Sequence, residues 1–333
     1  MSLVSLAGRR VLVTGGAGFI GSRTVEELLQ AGCGSIVVVD DMVRGRPENL
    51  TASLASGRVS VVRGDICDRA LLSDLIGGVD TVFHLAALRI TQCAAEPRRA
   101  MEVMVNATYD LLELCVEAKV RKVVSASSAS IYGMASRFPT HENHHPYSNR
   151  TLYGAAKNFG EGLLRSFNDM YGLDYVALRY FNAYGPRMDI HGRYTEVLIR
   201  WMERLEAGLP PIVFGEGGQT MDMVHVDDIA RANVLAARAP VSDVALNIGS
   251  GSETSLLQLS QLIAEAMGAE GLTPVHQPER DVNPVPRRLA DIDVARELIG
   301  YAPTVSLDAG LRDLVAWWRS EKQGVIATSG AAA

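Results

Sequence analysis

The residues of this sequence that are best suited to chemistry are a tyrosine and a lysine in the stretch LYGAAKN. Tyr153 and Lys157 lie four positions apart, so on a helix their side chains share one face. A phenol has a pKa of about 10 in water. A neighbouring ammonium favours the charged form, and the pair could therefore act as a proton acceptor. The alternative is structural, because a helical tyrosine usually packs and a lysine usually reaches solvent.

A glycine-rich turn near the start of the chain has the spacing of a dinucleotide site. A short apolar run precedes Gly15, Gly18 and Gly21, helical spacing follows them, and a second apolar run ends at Asp40. Gly15 permits the tight turn, Gly18 lets a pyrophosphate approach the backbone, and Gly21 lets the helix pack closely. The first N–H groups of that helix would face the phosphates. Asp40 would accept hydrogen bonds from ribose hydroxyls, which favours NAD over NADP.

The motif by itself leaves open whether a dinucleotide binds and whether it is NAD. A glycine-rich turn of this kind also occurs without any ligand. Arg44 and Arg46 follow Asp40 closely and would suit a 2′-phosphate, so they weaken the preference for NAD.

Strands alternate with helices through the first half of the chain, which predicts a parallel sheet with helices on both faces. Ligands of such sheets bind beyond the carboxyl ends of the strands. Asp65, Ala86, Ala87 and residues 125–128 fall at predicted strand ends, and the small residues leave room for a flat ring. Asp65 could accept from an adenine amino group. It could equally cap the next helix.

Composition excludes several other classes of protein. The 333 residues are 47% hydrophobic and 21% charged with a net charge of −6, which is an ordinary globular mixture without the basic surface of a nucleic-acid binder. No apolar run is long enough to span a bilayer, and no signal peptide is recognisable. The four cysteines are scattered without metal-site spacing, so they predict reduced thiols in a cytoplasmic protein.

The motifs TGGAGFIG, HLAAL, SSASIYG, YGAAK, RYFNAYGP and VHVDDIA occur in this order between about residues 9 and 318. Together they resemble the extended short-chain dehydrogenase/reductase superfamily, and within it the NAD-dependent nucleotide-sugar epimerases similar to UDP-glucose 4-epimerase. The resemblance implies a Rossmann-type doubly wound parallel sheet with a smaller α/β C-terminal substrate domain. It also implies a homodimer built on helix 98–118 and on the helix that starts near Thr151.

The resemblance assigns roles to individual residues. Tyr153 would be the catalytic base and acid, Lys157 its electrostatic partner and ligand of the nicotinamide ribose, and Ser128 the hydroxyl that relays the proton of the sugar. Tyr180 would flank the nicotinamide. The implied NAD-binding residues are Gly15, Gly18, Phe19, Ile20, Gly21, Asp40, Asp41, Asp65, Ile66, Leu85, Ala86, Ala87, Tyr153, Lys157 and Tyr180. The implied substrate-binding residues are Arg89, Ser128, Asn182, Arg187, Thr195, Val197 and Arg280.

The reaction implied is inversion of C4 through a transient 4-keto sugar. Relatives that dehydrate or decarboxylate carry an acid just after the catalytic hydroxyl residue, and those that epimerise C3 and C5 carry a cysteine. This chain has Ala129 and Ser130 there. Two alternatives remain: an NAD(P)H-dependent reductase or dehydrogenase of a nucleotide-linked keto-sugar, and a non-catalytic protein that kept the fold.

The sequence pattern changes beyond residue 182, where prolines and short strands become frequent. It predicts an NAD-binding domain over 1–182 with a later segment, 221–250, returning to it, a substrate domain mainly over 183–320, and a flexible tail over 321–333. Helices are predicted over 195–207, 226–238, 255–267 and 308–319.

Several arginines could bind the diphosphate of a nucleotide sugar. The candidates are Arg187, Arg193, Arg280, Arg287 and Arg288. For each the alternative is an ordinary surface arginine. Relatives often have an arginine where this chain has Met221, so one diphosphate contact must come from elsewhere.

Three histidines, His141, His144 and His145, lie close together in THENHHPYSNR. No set of cysteines or carboxylates completes a metal site, and the reaction needs no metal, so a solvated loop at the mouth of the pocket is favoured.

Overall fold

The structure is a computed structural model that describes residues 3–190, 196–278 and 285–330. Its strands are β1 (Arg10–Thr14), β2 (Ser35–Asp40), β3 (Val59–Arg63), β4 (Thr81–His84), β5 (Lys122–Ser128), β6 (Asp174–Tyr180), β7 (Asn182–Tyr184), β8 (Ile212–Phe214), β9 (Thr220–Met221), β10 (Met223–His225), β11 (Val244–Ile248), β12 (Thr254–Ser255) and β13 (Val275–Gln277).

The helices are α1 (Phe19–Gln30), α2 (Thr51–Leu54), α3 (Arg69–Ile76), α4 (Ile90–Ala95), α5 (Pro97–Met101), α6 (Ala107–Glu117), α7 (Leu152–Tyr171), α8 (Val197–Glu206), α9 (Val226–Arg238), α10 (Leu256–Met267), α11 (Asp293–Ile299) and α12 (Leu307–Gly330). Short 3₁₀ turns occur at Pro47–Leu50 and Ala129–Tyr132. No helix among the described residues has both the length and the apolar character needed to cross a membrane.

Seven parallel strands form the central sheet in the order β11-β6-β5-β4-β1-β2-β3. Neighbouring residues of β1 alternate between two hydrophobic cores, Val11 and Val13 in one and Leu12 in the other, so both faces of the sheet are covered. Strand order reverses between β1 and β4, and this reversal opens a crevice at their carboxyl ends. The predicted doubly wound α/β fold is thereby confirmed.

A smaller unit follows the sheet and has its own hydrophobic core. The strand pairs β10-β7, β12-β9 and β13-β8 surround residues such as Trp201, Leu259 and Trp318, all of them buried. β11 pairs with β6 and so rejoins the central sheet. The division into domains at the predicted boundaries stays a prediction. Backbone in the predicted tail is helical as far as Gly330, because α12 continues through it.

Helix α7 starts and ends at residues whose chemistry suits those positions. The Thr151 side chain accepts a hydrogen bond from the Gly154 N–H at 3.1 Å and caps the first turn. Gly172 closes the helix with φ +69°, a left-handed conformation that glycine adopts without strain. The helix therefore begins one residue before Tyr153, which brings that residue to the sheet.

The long helix predicted over 98–118 is not continuous in α-helical geometry. A π-helical turn, Glu102–Asn106, separates α5 from α6. A π turn inserts one extra residue and rotates the faces of the two flanking segments relative to each other. Simple 3.6-residue periodicity does not reveal such a turn, so the sequence predicted a single helix.

Candidate active site

A cavity of about 730 Å³ lies over the crevice between β1 and β4, where the smaller unit covers the sheet. This volume is typical of sites that hold one or two small molecules. The predicted cofactor residues all line it: Gly15, Gly18, Phe19, Ile20, Gly21, Asp40, Asp41, Asp65, Ile66, Leu85, Ala86, Ala87, Tyr153, Lys157 and Tyr180. Of the predicted substrate residues, Arg89, Ser128, Asn182, Arg187 and Val197 line it. Thr195, Arg193 and Arg280 lie outside the described residues.

The glycine turn leaves a cradle that side chains would fill. Gly15 has φ +69°, and a Cβ there would lie 2.8 Å from the backbone of Ala86. A Cβ on Gly21 would lie 2.1 Å from the Gly15 carbonyl oxygen. Gly18 precedes α1, and no side chain caps the first N–H groups of that helix. The turn and the uncapped helix end therefore fit the pyrophosphate of a dinucleotide.

We expect Gly21→Ala to lower the free energy of unfolding by about 1–3 kcal/mol, because the new Cβ overlaps backbone that cannot easily move. The stabilisation that added NAD confers should disappear with it. Thermal unfolding with and without NAD measures both effects. Gly271→Ala is the matched control, since a Cβ there meets nothing within 4 Å. A Gly21→Ala protein that gains the wild-type stabilisation from NAD would contradict this account of the turn.

The carboxylate of Asp40 is held at the end of β2 by backbone groups. It accepts hydrogen bonds from the N–H of Ala17 at 3.0 Å and of Met42 at 2.9 Å. Burial raises its pKa, and these two N–H donors act in the opposite direction. The side chain is thereby fixed at the carboxyl end of β2 and lines the cavity, and its contact with the ribose of a dinucleotide stays a prediction.

Asp65 does not cap the helix that follows it, which excludes the alternative left open by the sequence. The cap of α3 is Asp68, which accepts from the Leu71 N–H at 3.1 Å. Asp65 instead accepts from the Cys67 N–H at 2.9 Å and forms an ion pair with Arg99. Although burial opposes them, these contacts hold the pKa of Asp65 below its usual value.

Ser128, Tyr153 and Lys157 converge at the inner end of the cavity. The Ser128 hydroxyl forms a hydrogen bond with the Tyr153 phenol, and its oxygen also accepts from the Ser130 N–H at 3.1 Å. Nζ of Lys157 lies 5.9 Å from the centre of the Tyr153 ring and donates to the Ala126 carbonyl at 2.6 Å. The helical spacing of the pair and the strand that ends in Ser128 together produce this arrangement.

The pKa of Tyr153 depends on arginines that the sequence did not place near it. Burial raises the pKa of the phenol. The hydrogen bond from Ser128 and the positive charges of Arg44 and Arg288 act against this rise. The phenolate therefore receives support from two distant parts of the chain as well as from its own helix.

Lys157 shares its surroundings with a buried histidine. Burial lowers the pKa of Lys157 to about 8. Burial and the charge of Lys157 lower the pKa of His84 to about 3, so this imidazole is neutral. Its ring nitrogens contact the hydroxyls of Thr14 at 2.9 Å and Thr108 at 3.1 Å. His84 is thus a neutral core residue with both ring nitrogens hydrogen-bonded, and of the two neighbours Lys157 carries the positive charge.

No free carboxylate lies beside the phenol among the described residues. Asp189 and Glu196 line the cavity but form ion pairs with Arg89 at 3.5 and 3.7 Å. Glu161, which lies behind Lys157, is bound by Arg179 at 2.6 Å. The nearby thiol of Cys93 is buried, which raises its pKa and keeps it protonated.

Two of the predicted residues on β6 and β7 make contacts through their polar atoms. The Tyr180 hydroxyl donates to the side-chain oxygen of Asn233 at 2.7 Å, which leaves the ring to line the cavity. The Asn182 amide nitrogen donates to the Asp222 carbonyl at 3.0 Å.

The predicted arginines differ in their surroundings. Arg187 lines the cavity, but one of its nitrogens donates to Glu26 of α1 at 2.5 Å. Arg287 pairs with Glu253 at 2.6 Å, stacks on the Phe138 ring and does not line the cavity. Arg288 does line it.

Sequence patterns gave no indication that Asp189, Glu196 and Arg44 meet in the cavity. Arg44 lies 4.0 Å from Asp189, and burial together with the charge of Arg89 lowers its pKa to about 10. These residues are distant in the chain, and their spacing carries no signal that could have identified the contact.

The three clustered histidines contact one another and a nearby tyrosine. His144 accepts from the Ser136 N–H at 3.1 Å, and its ring meets the edge of Tyr132 and the ring of His145. None of the three lines the cavity, and their location near its mouth stays a prediction.

The fold and the glycine turn define a dinucleotide-binding α/β protein with a phenol and an ammonium beside the dinucleotide crevice. The family model described as the NAD dependent epimerase/dehydratase family matches residues 11–249. The chain belongs to this family, within the extended short-chain dehydrogenase/reductase superfamily, and its cofactor is NAD.

Individual relatives match along nearly the whole chain. A UDP-glucose 4-epimerase of Mycolicibacterium smegmatis is 38% identical over 94% of this chain and 100% of its own length. A dTDP-glucose 4,6-dehydratase of Actinoplanes sp. is 32% identical over 94% of this chain and 98% of its own length. The solved UDP-N-acetylglucosamine 4-epimerase of Methanobrevibacter ruminantium M1, in complex with UDP-N-acetylmuramic acid, has a TM-score of 0.89 and 31% identity over 95% of this chain and 99% of that one. The relatives therefore include both epimerases and dehydratases.

Proposed function

We propose that the protein inverts C4 of a nucleotide-linked sugar, with a UDP-hexose as the favoured class, through a transient 4-keto intermediate. The observation that carries this proposal is the arrangement of Ser128, Tyr153 and Lys157, which has no second free acid or base beside it among the described residues. The positions where dehydrating relatives carry an acid are Ala129 and Ser130, which are both buried here. A keto-sugar formed in this site would therefore meet no group suited to remove a further proton in the part of the chain that the structure describes.

The residues of this chain would handle one proton. NAD, when bound, supplies the acceptor and donor of hydride at C4. The Tyr153 phenolate takes the proton of the 4-hydroxyl, with the Ser128 hydroxyl holding the sugar oxygen in place. Lys157 stabilises the phenolate by its charge and holds the ribose of the cofactor. The phenol later returns the proton to the oxygen at C4, so the site ends in its starting state.

Inversion requires the sugar ring to turn over while the nucleotide stays anchored. We propose that the nucleotide is held by four residues that line the cavity: Arg89, Asn182, Arg187 and Val197. Glu26 already balances part of the positive charge of Arg187, and Asp189 balances part of that of Arg89. A diphosphate would then compete with these carboxylates for the two guanidinium groups.

The test is direct. Purified protein is incubated with UDP-glucose, UDP-N-acetylglucosamine and UDP-glucuronate, and the C4 epimers are resolved by chromatography. We expect at least one epimer pair to interconvert without added NAD, because net oxidation is zero and the cofactor need not leave. Absence of an epimer from every nucleotide sugar would refute the proposal. The runner-up, a net reductase or dehydrogenase, instead predicts turnover only with exchangeable NAD(P)H.

We further propose a homodimer built on α6 and α7. Exposed apolar side chains stand on these helices: Tyr109 is 44%, Phe159 52% and Met170 63% exposed. Phe159 and Met170 lie eleven positions apart on α7, about three turns, so they share one face. Exposed large apolar side chains grouped on two helices are typical of a protein interface.

The double substitution Phe159→Glu and Met170→Glu should convert the protein to a monomer, because two charges would be buried in the interface. Sedimentation velocity measures the change. Tyr147→Glu is the control, since Tyr147 is exposed and belongs to neither α6 nor α7. A wild-type protein that sediments as a monomer would refute the interface.

A further inference from the structure

The arginines that line the cavity differ in whether a protein carboxylate balances their charge. Arg44 and Arg89 both lie near Asp189, and Arg187 binds Glu26. The guanidinium of Arg288 forms no hydrogen bond or ion pair with any residue in the described part of the chain. Side chains with a purely structural role rarely leave a half-buried charge without a partner, because its desolvation is then uncompensated.

Backbone hydrogen bonds fix the segment around Arg288, and they therefore determine the direction in which its side chain points. Its N–H donates to the Thr220 carbonyl at 3.0 Å, and the Thr220 N–H donates to Pro286 at 3.0 Å. In this extended segment neighbouring side chains point in opposite directions. Arg287 points outward to Glu253, and Arg288 points into the cavity.

The guanidinium faces the reacting end of the cavity. Arg288 and Tyr153 both line it, and Tyr153 is the group whose charge acts on Arg288. Burial lowers the pKa of Arg288, and the phenolate opposes that effect. A substrate whose 4-hydroxyl meets this phenol brings its C5 substituent close by, because C4 and C5 are bonded neighbours. The diphosphate is attached at C1, on the opposite side of the ring.

We propose that Arg288 binds a carboxylate carried on C5 of the sugar, so that the preferred substrate is a nucleotide-linked uronic acid. The inference rests on the proposed function, since the sugar is placed by its reaction at Tyr153. A guanidinium presents two parallel N–H groups that match the two oxygens of a carboxylate. A neutral hydroxymethyl group in the same place would leave the charge of Arg288 unpaired.

The test compares Arg288→Gln with Arg287→Gln, the neighbouring arginine that faces outward. We expect Arg288→Gln to lower kcat/KM for UDP-glucuronate by roughly 10- to 150-fold, the effect of losing a hydrogen-bonded charge pair. Loss of this charge beside the Tyr153 phenol affects both substrates, so the fall in kcat/KM for UDP-glucose should be at least about tenfold smaller than the fall for UDP-glucuronate. Arg287→Gln should leave both substrates at wild-type rates.

Binding measured by calorimetry in a Tyr153→Phe background separates this inference from the epimerase proposal. UDP, UDP-glucose and UDP-glucuronate are titrated with and without Arg288→Gln. Selective weakening of UDP-glucuronate supports the inference, even if no sugar is epimerised. Equal weakening of all three places Arg288 on the diphosphate and overturns it. Epimerisation of UDP-glucose by a protein that does not bind UDP-glucuronate also overturns it, while the epimerase proposal survives.

Discussion

Replacing Tyr153 by phenylalanine is expected to reduce kcat by about 10²–10⁴-fold, which is the usual contribution of a positioned proton-transfer group. The phenol is the one group in the described site that is placed to take the proton of the 4-hydroxyl, because Cys93 stays protonated and the nearby carboxylates are paired. Epimer formation followed under single-turnover and steady-state conditions measures the loss. Affinity for NAD should remain, since the glycine turn and Asp40 are untouched.

Stability provides the control for this substitution. The phenylalanine ring fills the same space as the tyrosine ring. The lost hydroxyl interacts with one side chain, Ser128, so the free energy of unfolding should change by about 1 kcal/mol at most. A folded variant that binds NAD and has lost turnover would establish the chemical role. Turnover at the wild-type rate would remove Tyr153 from the mechanism, and with it the proposed function in its present form.

Replacing Lys157 by methionine is expected to change both the rate and its dependence on pH. The ammonium favours the phenolate, so its removal should raise the pKa of Tyr153 and move the acid limb of kcat/KM to higher pH by about 1–3 units. In the wild-type protein the pKa of Lys157 is about 8, so activity should fall above that pH as the ammonium loses its proton. The methionine variant has no such group and should lack this basic limb. At neutral pH its kcat should be about 10²-fold lower.

The sign of the effect on stability separates this variant from a misfolded one. Burial holds the pKa of Lys157 below its usual value, so the charged ammonium opposes folding, most fully below about pH 8. Wild-type stability should therefore rise with pH between about 8 and the ordinary lysine pKa of about 10.4, as far as this group determines it. The methionine variant should melt no lower than the wild type at pH 7. Lys119→Met, at an exposed position, is the matched control, and an unchanged pH profile in Lys157→Met would contradict the role of the ammonium.

Much of the fold and the core of the site could be predicted from local patterns. The glycine spacing, the apolar runs that became β1 to β6, and the four-residue interval between Tyr153 and Lys157 are all properties of short segments. Three helices of the second half, α8, α9 and α10, were predicted within a few residues, and 226–238 without error. The fourth, predicted over 308–319, continues as α12 to Gly330. Patterns of this kind succeed because strand and helix periodicity and the conformational freedom of glycine act over a few neighbouring residues.

Where prediction failed, the outcome depended on neighbours close in space and distant in the chain. The sequence left open that Asp65 caps the next helix, but Asp65 pairs with Arg99, and Asp68 caps α3 instead. The π turn that divides the helix over 98–118 has no periodic signature.

The sequence by itself determined a Rossmann-type sheet, a dinucleotide turn and a phenol paired with an ammonium, because each is encoded by residue types at short, regular intervals. Only the tertiary structure decided the charges around that phenol. Arg44 meets Asp189 across the cavity, Arg187 turns to Glu26, and Arg288 is left without an anion among the described residues. The physical reason is that Coulomb interactions and desolvation depend on distance and burial in space, and a linear sequence records neither.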